Sequence, residues 1–206
     1  SKGRAMNYVV VSGYTPPYRD RVRKLIESLD RLCVPESCRR IVQYEHRGSW
    51  ERNCAHKPSI VIDALRETQK PVLWVDADAT VELPPVLIDD FIARGVDYSF
   101  RVKENDHPVN KALSGTVFIN NTAQGVLLAA MWREYCNNRP TDWDQVSLWH
   151  AHDHIRAVAP TSKFEPLHDA YCAIFDGLYG SEHHPRVIVH HQASRTLKHV
   201  VGSDGE

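Results

Sequence analysis

Residues 71–79 form an apolar run that ends in two carboxylates, Pro71-Val72-Leu73-Trp74-Val75-Asp76-Ala77-Asp78-Ala79. The β-branched and aromatic residues of this run predict a buried strand over residues 72–75. Residues two apart in an extended chain point to the same side, so Asp76 and Asp78 can approach one divalent ion or one ribose. Carboxylates suit hard divalent cations, and such a cation can bind a diphosphate. The stretch therefore predicts a metal site with Asp76 and Asp78 as ligands; a solvated turn or a helix cap is the alternative.

Strand-like and helical patterns alternate along the rest of the chain. Strands are expected at residues 8–13, 40–44, 72–75, 96–102, 113–120 and 187–190. Helices are expected at residues 19–32, 57–68, 84–93, 122–135 and 143–154. Residues 46–54 are polar and predict a loop. This α/β alternation is typical of a mainly parallel central sheet with helices on both faces, and we expect a single domain over residues 1–206.

The composition is that of an ordinary folded protein, with 42% hydrophobic and 25% charged residues in a chain of 206. A net charge of −1 disfavours binding to nucleic acid through charge alone. The five cysteines are odd in number and form no CxxC pair, which favours a reducing compartment. No apolar stretch reaches the length of a membrane span, and residues 1–6 lack the apolar core of a signal peptide. We therefore expect a cytoplasmic protein without a membrane span.

A second polar block runs from Val189 to Lys198, directly after the last predicted strand. A neutral imidazole can complete the coordination of a divalent ion, while Arg195 and Lys198 can neutralise phosphate charge. Side chains alternate along a strand, so only one of His190 and His191 can face the site. We predict His190 as the third metal ligand and keep His191 as the alternative. A solvated basic segment is the other interpretation of this block.

Six motifs follow one another along the chain: Val9-Val10-Val11-Ser12-Gly13, Lys57-Pro58, Leu73-Trp74-Val75-Asp76-Ala77-Asp78, Ser114-Gly115-Thr116, Asp144-Gln145 and His190. In this order they resemble the nucleotide-diphospho-sugar transferases, glycosyltransferases of the GT-A fold, over nearly the whole chain. The resemblance implies a Rossmann-like GT-A fold and the metal-dependent transfer of a sugar to an acceptor hydroxyl. It also implies a nucleotide-sugar donor, most often a UDP-sugar, together with Mn²⁺ or Mg²⁺.

The same resemblance implies which residues contact the donor. It assigns the nucleoside to the end of the first strand, at Val11, Ser12 and Gly13. Lys57 would contact the base or a phosphate, and Asp76 would bind the ribose or the metal. Ser114 and Gly115 would lie close to the sugar, with Gly115 allowing close approach of the backbone. A strand bulge is the alternative explanation for Gly115.

Two further carboxylates flank an aromatic residue in the stretch Thr141-Asp142-Trp143-Asp144-Gln145. Asp142 and Asp144 are both candidates for catalysis, although Asp142 is also a plausible helix cap. We favour Asp144 as the catalytic or acceptor-holding carboxylate, with Trp143 stacking on a sugar. A carboxylate would deprotonate the acceptor in an inverting enzyme, or act at the anomeric centre in a retaining one. The sequence leaves both open.

A rival interpretation comes from the histidine cluster His150, His152 and His154. Residues four apart share one face of a helix, so His150 and His154 could bind zinc in a metallo-hydrolase. A third possibility is a module that binds sugar nucleotides without catalysis. For a transferase the acceptor stays open among a glycan, a lipid-linked sugar, a protein side chain and a modified nucleic-acid base. The oligomeric state also stays open.

Overall fold

The computed structural model describes residues 6–104, 107–174 and 185–197. Its helices are α1 (Arg19–Arg31), α2 (Trp50–Cys54), α3 (Lys57–Thr68), α4 (Val86–Arg94), α5 (Ala123–Asn138), α6 (Asp144–Val158) and α7 (Ser194–Leu197). Its strands are β1 (Val9–Tyr14), β2 (Arg39–Gln43), β3 (Val72–Val75), β4 (Ala79–Val81), β5 (Tyr98–Val102), β6 (Ala112–Ile119), β7 (Ala173–Ile174) and β8 (Ile188–His190). Within these described ranges, none of the helices combines the length and the apolar character needed to cross a membrane.

A five-stranded sheet in the order β2-β1-β3-β6-β5 lies at the centre of the fold. Strands β2 and β3 run parallel to β1, β6 runs antiparallel to β3, and β5 runs antiparallel to β6. Strand β5 therefore points the same way as the first three, and β6 alone is reversed. The predicted mainly parallel sheet is confirmed. A second sheet has the order β4-β8-β7.

Helices cover both faces of the central sheet, because successive residues of its inner strands point to opposite sides. In β1, Val9 and Val11 pack into one core with α3, α5 and α6. Val10 packs into the other core, with α1 and α4. Strand β3 divides in the same way, with Trp74 in the first core and Leu73 in the second. Strands β1 and β3 therefore have apolar residues on both sides, which explains the apolar runs at residues 9–11 and 72–75 in the sequence.

Several short elements differ from the sequence prediction, α7 among them. The predicted loop at residues 46–54 contains helix α2, whose start is capped by Ser49 through a hydrogen bond of 3.2 Å from the backbone N–H of Arg52. The sequence also fails to predict β4 and β7, since such short strands show no periodicity. Strand β4 pairs with β8, with Ala79 opposite His190, and this pairing positions the site described next.

Candidate active site

A cavity of about 380 Å³ opens where β1 and β3 end. Open α/β sheets bind ligands at the carboxyl ends of their strands, and this volume is in the range of small-molecule sites. Its wall combines residues from distant parts of the chain, among them Gly13, Lys57, Asp76, Ser114 and His190. The fold therefore brings most of the predicted site residues to one place.

Asp76, Asp78 and His190 form a group that can hold a metal ion, with ligand atoms all within 4.8 Å of one another. It is the only such group of three or more His, Cys, Asp or Glu side chains among the described residues. The pairing of β4 with β8 delivers the imidazole to the two carboxylates. Two carboxylates and one imidazole form a donor set that fits Mn²⁺, and the carboxylates also suit Mg²⁺.

His190 and His191 point to different places, as strand alternation requires. The side chain of His190 is buried in the cavity wall, with Nε2 2.8 Å from Oγ1 of Thr116. Burial lowers the pKa of His190 to about 4, so its ring is neutral at pH 7, the form that binds metals. Nε2 of His191 lies 3.0 Å from Oγ1 of Thr80, and His191 does not line this cavity.

The two acidic residues are held in place by donors from the protein. Oδ2 of Asp78 accepts a hydrogen bond of 2.7 Å from the backbone N–H of Ala193. Burial and the charge of Asp76 raise the pKa of Asp78 to about 6, and a bound cation would offset this repulsion. Oδ1 of Asp76 accepts from Nε1 of Trp74 at 2.9 Å and lies 2.9 Å from Nζ of Lys57. No described residue donates to Oδ2 of Asp76, which leaves that oxygen for an ion or a ribose.

Lys57 is buried at the start of α3 and contacts three acceptors. Its Nζ lies 2.9 Å from Asp76, 3.1 Å from Asp144 and 3.4 Å from Oγ of Ser114. The two carboxylates lie within ion-pair distance and the hydroxyl accepts a hydrogen bond, so acceptors surround the ammonium. Burial alone would lower the pKa of Lys57, but the charges of Asp144 and Asp76 outweigh it and raise that pKa well above its ordinary value. Lys57 thus pairs with acidic groups inside the protein and also lines the cavity, so its predicted contact with a base or phosphate stays a prediction.

Asp144 opens helix α6 and lines the cavity, with 3% of its surface exposed. Burial raises the pKa of this carboxyl, and the charge of Lys57 opposes that rise. Its Oδ2 lies 3.1 Å from Lys57 but makes no hydrogen bond of good geometry in the described structure. A buried carboxylate with one counter-charge and a face on a cavity is typical of functional sites.

Asp142 does not join this arrangement. It lies outside the cavity wall, and its carboxylate is 3.7 Å from the guanidinium of Arg139. The alternative of a helix cap is also wrong, because α6 is preceded by Trp143 and has no side-chain cap. The predicted catalytic role of Asp142 therefore has no support from its position, whereas Trp143 lines the cavity and is 47% exposed.

Of the three residues predicted to contact the nucleoside, two lie in the core and one lines the cavity. Val11 and Ser12 are fully buried in the sheet and do not line the cavity, whereas Gly13 does. A Cβ on Gly13 would lie 2.5 Å from Cδ1 of Ile60, so the Ile60 side chain on α3 would have to shift to admit a larger residue. Tyr18 lines the cavity beyond the strand, and the sequence analysis missed it.

Ser114 and Gly115 both line the cavity on β6. A Cβ on Gly115 would approach Cε1 of His190 to 2.7 Å, so the missing side chain makes room for the imidazole. The structure gives this reason for the glycine, and the predicted closeness of Gly115 to a sugar stays a prediction. Arg195 on α7 also lines the cavity, as predicted for a phosphate-binding residue, while Lys198 lies outside the described residues.

The histidines of α6 bind neighbouring side chains instead of meeting at one point. Nε2 of His150 lies 3.0 Å from a guanidinium nitrogen of Arg139, which disfavours a cation there. Nδ1 of His152 lies 3.1 Å from the hydroxyl of Tyr98, and Nδ1 of His154 lies 3.2 Å from that of Tyr135. In the described part of the chain these histidines form no potential metal-binding group, so the zinc hydrolase alternative loses its basis.

Several residues of the cavity wall belong to none of the motifs that the sequence shows. The ones that sequence analysis did not assign to the site include Tyr14, Tyr18, Tyr44, Cys54, Cys172 and Gln192. The only signal available is the concentration of tyrosines around the first predicted strand. Trp50 also lines the cavity, at the start of helix α2.

In sequence, no known protein family and no curated protein matches this chain. Solved structures do. A glycosyltransferase involved in the glycosylation of the major capsid of PBCV-1 has a TM-score of 0.65 and 14% identity, over 94% of this chain and 97% of that one. Mouse xyloside xylosyltransferase 1 has a TM-score of 0.59 and 12% identity, over 92% and 99%.

A third solved structure is the galactosyltransferase LgtC in complex with donor and acceptor sugar analogs. Its TM-score is 0.55 at 12% identity, over 88% of this chain and 86% of that one. At such identities the likeness concerns the fold. The chain therefore has a GT-A-like fold, the fold of nucleotide-sugar transferases, as the sequence motifs imply.

Proposed function

We propose that this chain transfers a sugar from a nucleotide-diphospho-sugar, expected to be a UDP-sugar, to an acceptor hydroxyl. One observation carries the proposal. Asp76, Asp78 and His190 line the cavity at the ends of β1 and β3, and their possible ligand atoms all lie within 4.8 Å of one another. A buried carboxylate, Asp144, and a cation, Arg195, line the same cavity. This set provides a metal site, a phosphate-binding group and a candidate catalytic group side by side.

Each of these side chains has a task in such a transfer. Mn²⁺ or Mg²⁺, when bound, would neutralise the charge that builds up on the departing diphosphate. Asp76, Asp78 and His190 would hold the ion in place. Arg195 would donate to a phosphate oxygen through its planar guanidinium, and Lys198 keeps the same role as a prediction.

Asp144 is the candidate for action at the reacting atoms. Burial raises the pKa of Asp144, and the ammonium of Lys57 opposes that rise by favouring the charged carboxylate. The charged form can accept a proton or face a positive charge. If transfer inverts the anomeric configuration, Asp144 would take the proton of the acceptor hydroxyl. If transfer retains it, Asp144 would stabilise the anomeric centre instead.

The acceptor side of the cavity carries an aromatic pair. The rings of Trp50 and Trp143 lie edge to face, with centroids 6.2 Å apart, and both line the cavity. An exposed indole combines a flat apolar face with one polar edge, which suits the apolar face of a sugar ring. We therefore favour a sugar hydroxyl, on a glycan or a lipid-linked sugar, over a protein side chain or a modified nucleic-acid base.

The cytoplasmic location belongs to the same proposal. It is supported by the five cysteines, all of which are free thiols, as is usual in a reducing compartment. A donor such as a UDP-sugar would then be met inside the cell.

Calorimetric titration tests the proposed function. UDP and then GDP are titrated into wild type with and without Mn²⁺ or Mg²⁺, with Asp78→Ala and Asp153→Ala alongside. Because Asp78 would bind the ion directly, we expect metal-dependent UDP affinity to fall about 100-fold or more in Asp78→Ala. Asp153 is an exposed carboxylate on α6 outside the cavity, so its variant should bind as wild type does.

Failure of wild type to bind either nucleotide with either ion would contradict the proposal. Nucleotide binding without sugar transfer would instead favour a module that binds sugar nucleotides but does not catalyse a reaction. Release of UDP from UDP-glucose, UDP-galactose or UDP-xylose, measured with simple glycosides as acceptors, separates that module from an enzyme.

A further inference from the structure

Lys103 is a buried cation at the edge of the site. It follows β5, is 6% exposed, and its Nζ donates to Oδ1 of Asn110 at 2.5 Å. Its backbone N–H donates to the carbonyl of Lys111 at 2.7 Å, which closes the base of the β5–β6 hairpin. No ion pair joins Lys103 to a carboxylate within the described residues. Burying an ammonium is unfavourable, so its contact with a neutral amide needs a reason.

Asn110 links Lys103 to Gln145. Oδ1 of Asn110 accepts a second hydrogen bond, of 2.7 Å, from Nε2 of Gln145. An ammonium can only donate, so the atom of Asn110 that faces Lys103 must be the carbonyl oxygen and not the NH₂ group. That oxygen can only accept, so the atom of Gln145 that faces it must be the NH₂ group. One cation thus fixes the orientation of two amides in series.

Because the NH₂ group of Gln145 faces Asn110, its carbonyl oxygen is available to the cavity. It follows Asp144 in the first turn of α6 and lines the cavity wall. In the described structure no side chain or backbone group donates to its Oε1. The rotated form of Gln145, with NH₂ towards the cavity, would place its carbonyl oxygen against the oxygen of Asn110, and the contact of that oxygen with Lys103 disfavours this form.

We propose that Lys103 and Asn110 are positioning residues that hold the Gln145 amide with its carbonyl oxygen towards the cavity, as the acceptor for a hydroxyl of the bound sugar. The identity of the ligand rests on the proposed glycosyl transfer, whereas the orientation of the amide does not. A fixed acceptor can bind a sugar hydroxyl without losing rotamer freedom at that moment, and it orients the sugar for reaction.

The first test measures UDP release from UDP-glucose, UDP-galactose and UDP-xylose by the full chain. Lys103→Met removes the donor at nearly constant length, and Asn110→Leu removes the acceptor. Both should lower kcat about tenfold or more with little change in metal-dependent UDP affinity, because the contact concerns the sugar.

Two variants serve as controls for this test. Asn110→Asp keeps a group that only accepts and so should retain most of the wild-type kcat, a rescue that a merely structural role would not show. Lys111→Met changes the neighbouring lysine, whose Nζ lies 5.8 Å from the ring centroid of Trp149, and should behave as wild type.

The second test reads the amide itself by NMR and needs no substrate. The side-chain NH₂ signals of Gln145 are identified by their loss in Gln145→Ala. One amide proton should exchange slowly with solvent in wild type, Asn110→Asp and Lys111→Met, and both should exchange fast in Lys103→Met and Asn110→Leu.

Unchanged kcat and unchanged amide signals in Lys103→Met would overturn the proposal, as would an Asn110→Asp variant that behaves like Asn110→Leu. If wild type releases no UDP from any of the three donors but shows the expected amide pattern, the orientation is supported and the proposed function alone is contradicted.

Discussion

Two histidines are buried to nearly the same extent in different surroundings. His190 is 4% exposed and His152 is 2% exposed, and burial lowers the pKa of each to about 4. His190 lies in the cavity wall with the carboxylates of Asp76 and Asp78. His152 lies among aromatic rings, with its centroid 4.4 Å from that of Phe164, and away from the cavity.

The difference teaches that burial and a lowered pKa do not by themselves mark a functional histidine. A neutral buried imidazole can be a metal ligand or a packed ring with one hydrogen bond. What separates the two is the charge of the neighbours: His190 faces carboxylates that need a cation, whereas His152 contacts Tyr98 and rings. The chemistry of the surroundings decides the role.

The largest effect should come from removing the cation beside the carboxylates. Lys57→Met leaves Asp76 and Asp144 without their shared counter-charge, and we expect the free energy of unfolding to fall by about 3–5 kcal/mol. Urea denaturation measures it, with the exposed Lys163→Met as control. Adding Asp144→Asn should recover part of the loss; equal stability of Lys57→Met and wild type would contradict the charge pairing.

Substitution of each histidine in turn tests the comparison of His190 with His152 directly. His190→Ala should weaken Mn²⁺-dependent UDP binding about 100-fold, because it removes a ligand of the proposed ion. His152→Phe should leave this affinity unchanged, since its neighbours are rings. Calorimetry on both variants gives the answer, and equal losses would show that the two histidines do not differ in role.

A smaller effect concerns acid stability. In the folded chain the pKa of His152 is about 4, below the ordinary 6.5, so the unfolded chain takes up the proton first. The free energy of unfolding should therefore decrease as the pH falls from 6.5 towards 4. His152→Phe should show a smaller decrease, and urea midpoints at about pH 7 and about pH 5 measure it. His190 contributes in the same direction, so part of the dependence remains; a full wild-type decrease in His152→Phe would contradict this account.

The smallest effect is expected for the outer histidines of α6. Replacement of both His150 and His154 by Ala should change the free energy of unfolding by less than about 0.5 kcal/mol, because their hydrogen bonds lie at the surface. Thermal unfolding with and without Zn²⁺ provides the check. A rise in Tm with Zn²⁺ that the double variant abolishes would restore the zinc alternative.

Much of the architecture could be predicted from the sequence. The inner strands are apolar on both faces, so β1 and β3 stand out as uninterrupted runs. Helix α3 starts at Lys57 as predicted, because Pro58 favours the first turn. The meeting of His190 with Asp76 and Asp78 depends on the pairing of β8 with β4, a strand that the sequence does not predict, and their binding of a metal stays a prediction.

Other features depend on tertiary contacts that no local pattern encodes. Val11, Ser12 and Gly13 are consecutive on β1, but the first two are buried in the core and only Gly13 lines the cavity. The packing of helices against the strand decides which residue is the first to reach the cavity. The choice between Asp142 and Asp144 depends on where α6 begins, a boundary that sequence fixes only to within a few residues. Packing, not pattern, decided both.

The pairing of Ala79 with His190 also orders events in time. During synthesis the strand that carries the two carboxylates leaves the ribosome long before β8 does, and domains fold as their parts emerge. A nascent chain that has not yet been extended through His190 lacks the third member of the metal group. The proposed site would therefore assemble late, after all five strands of the central sheet have been synthesised.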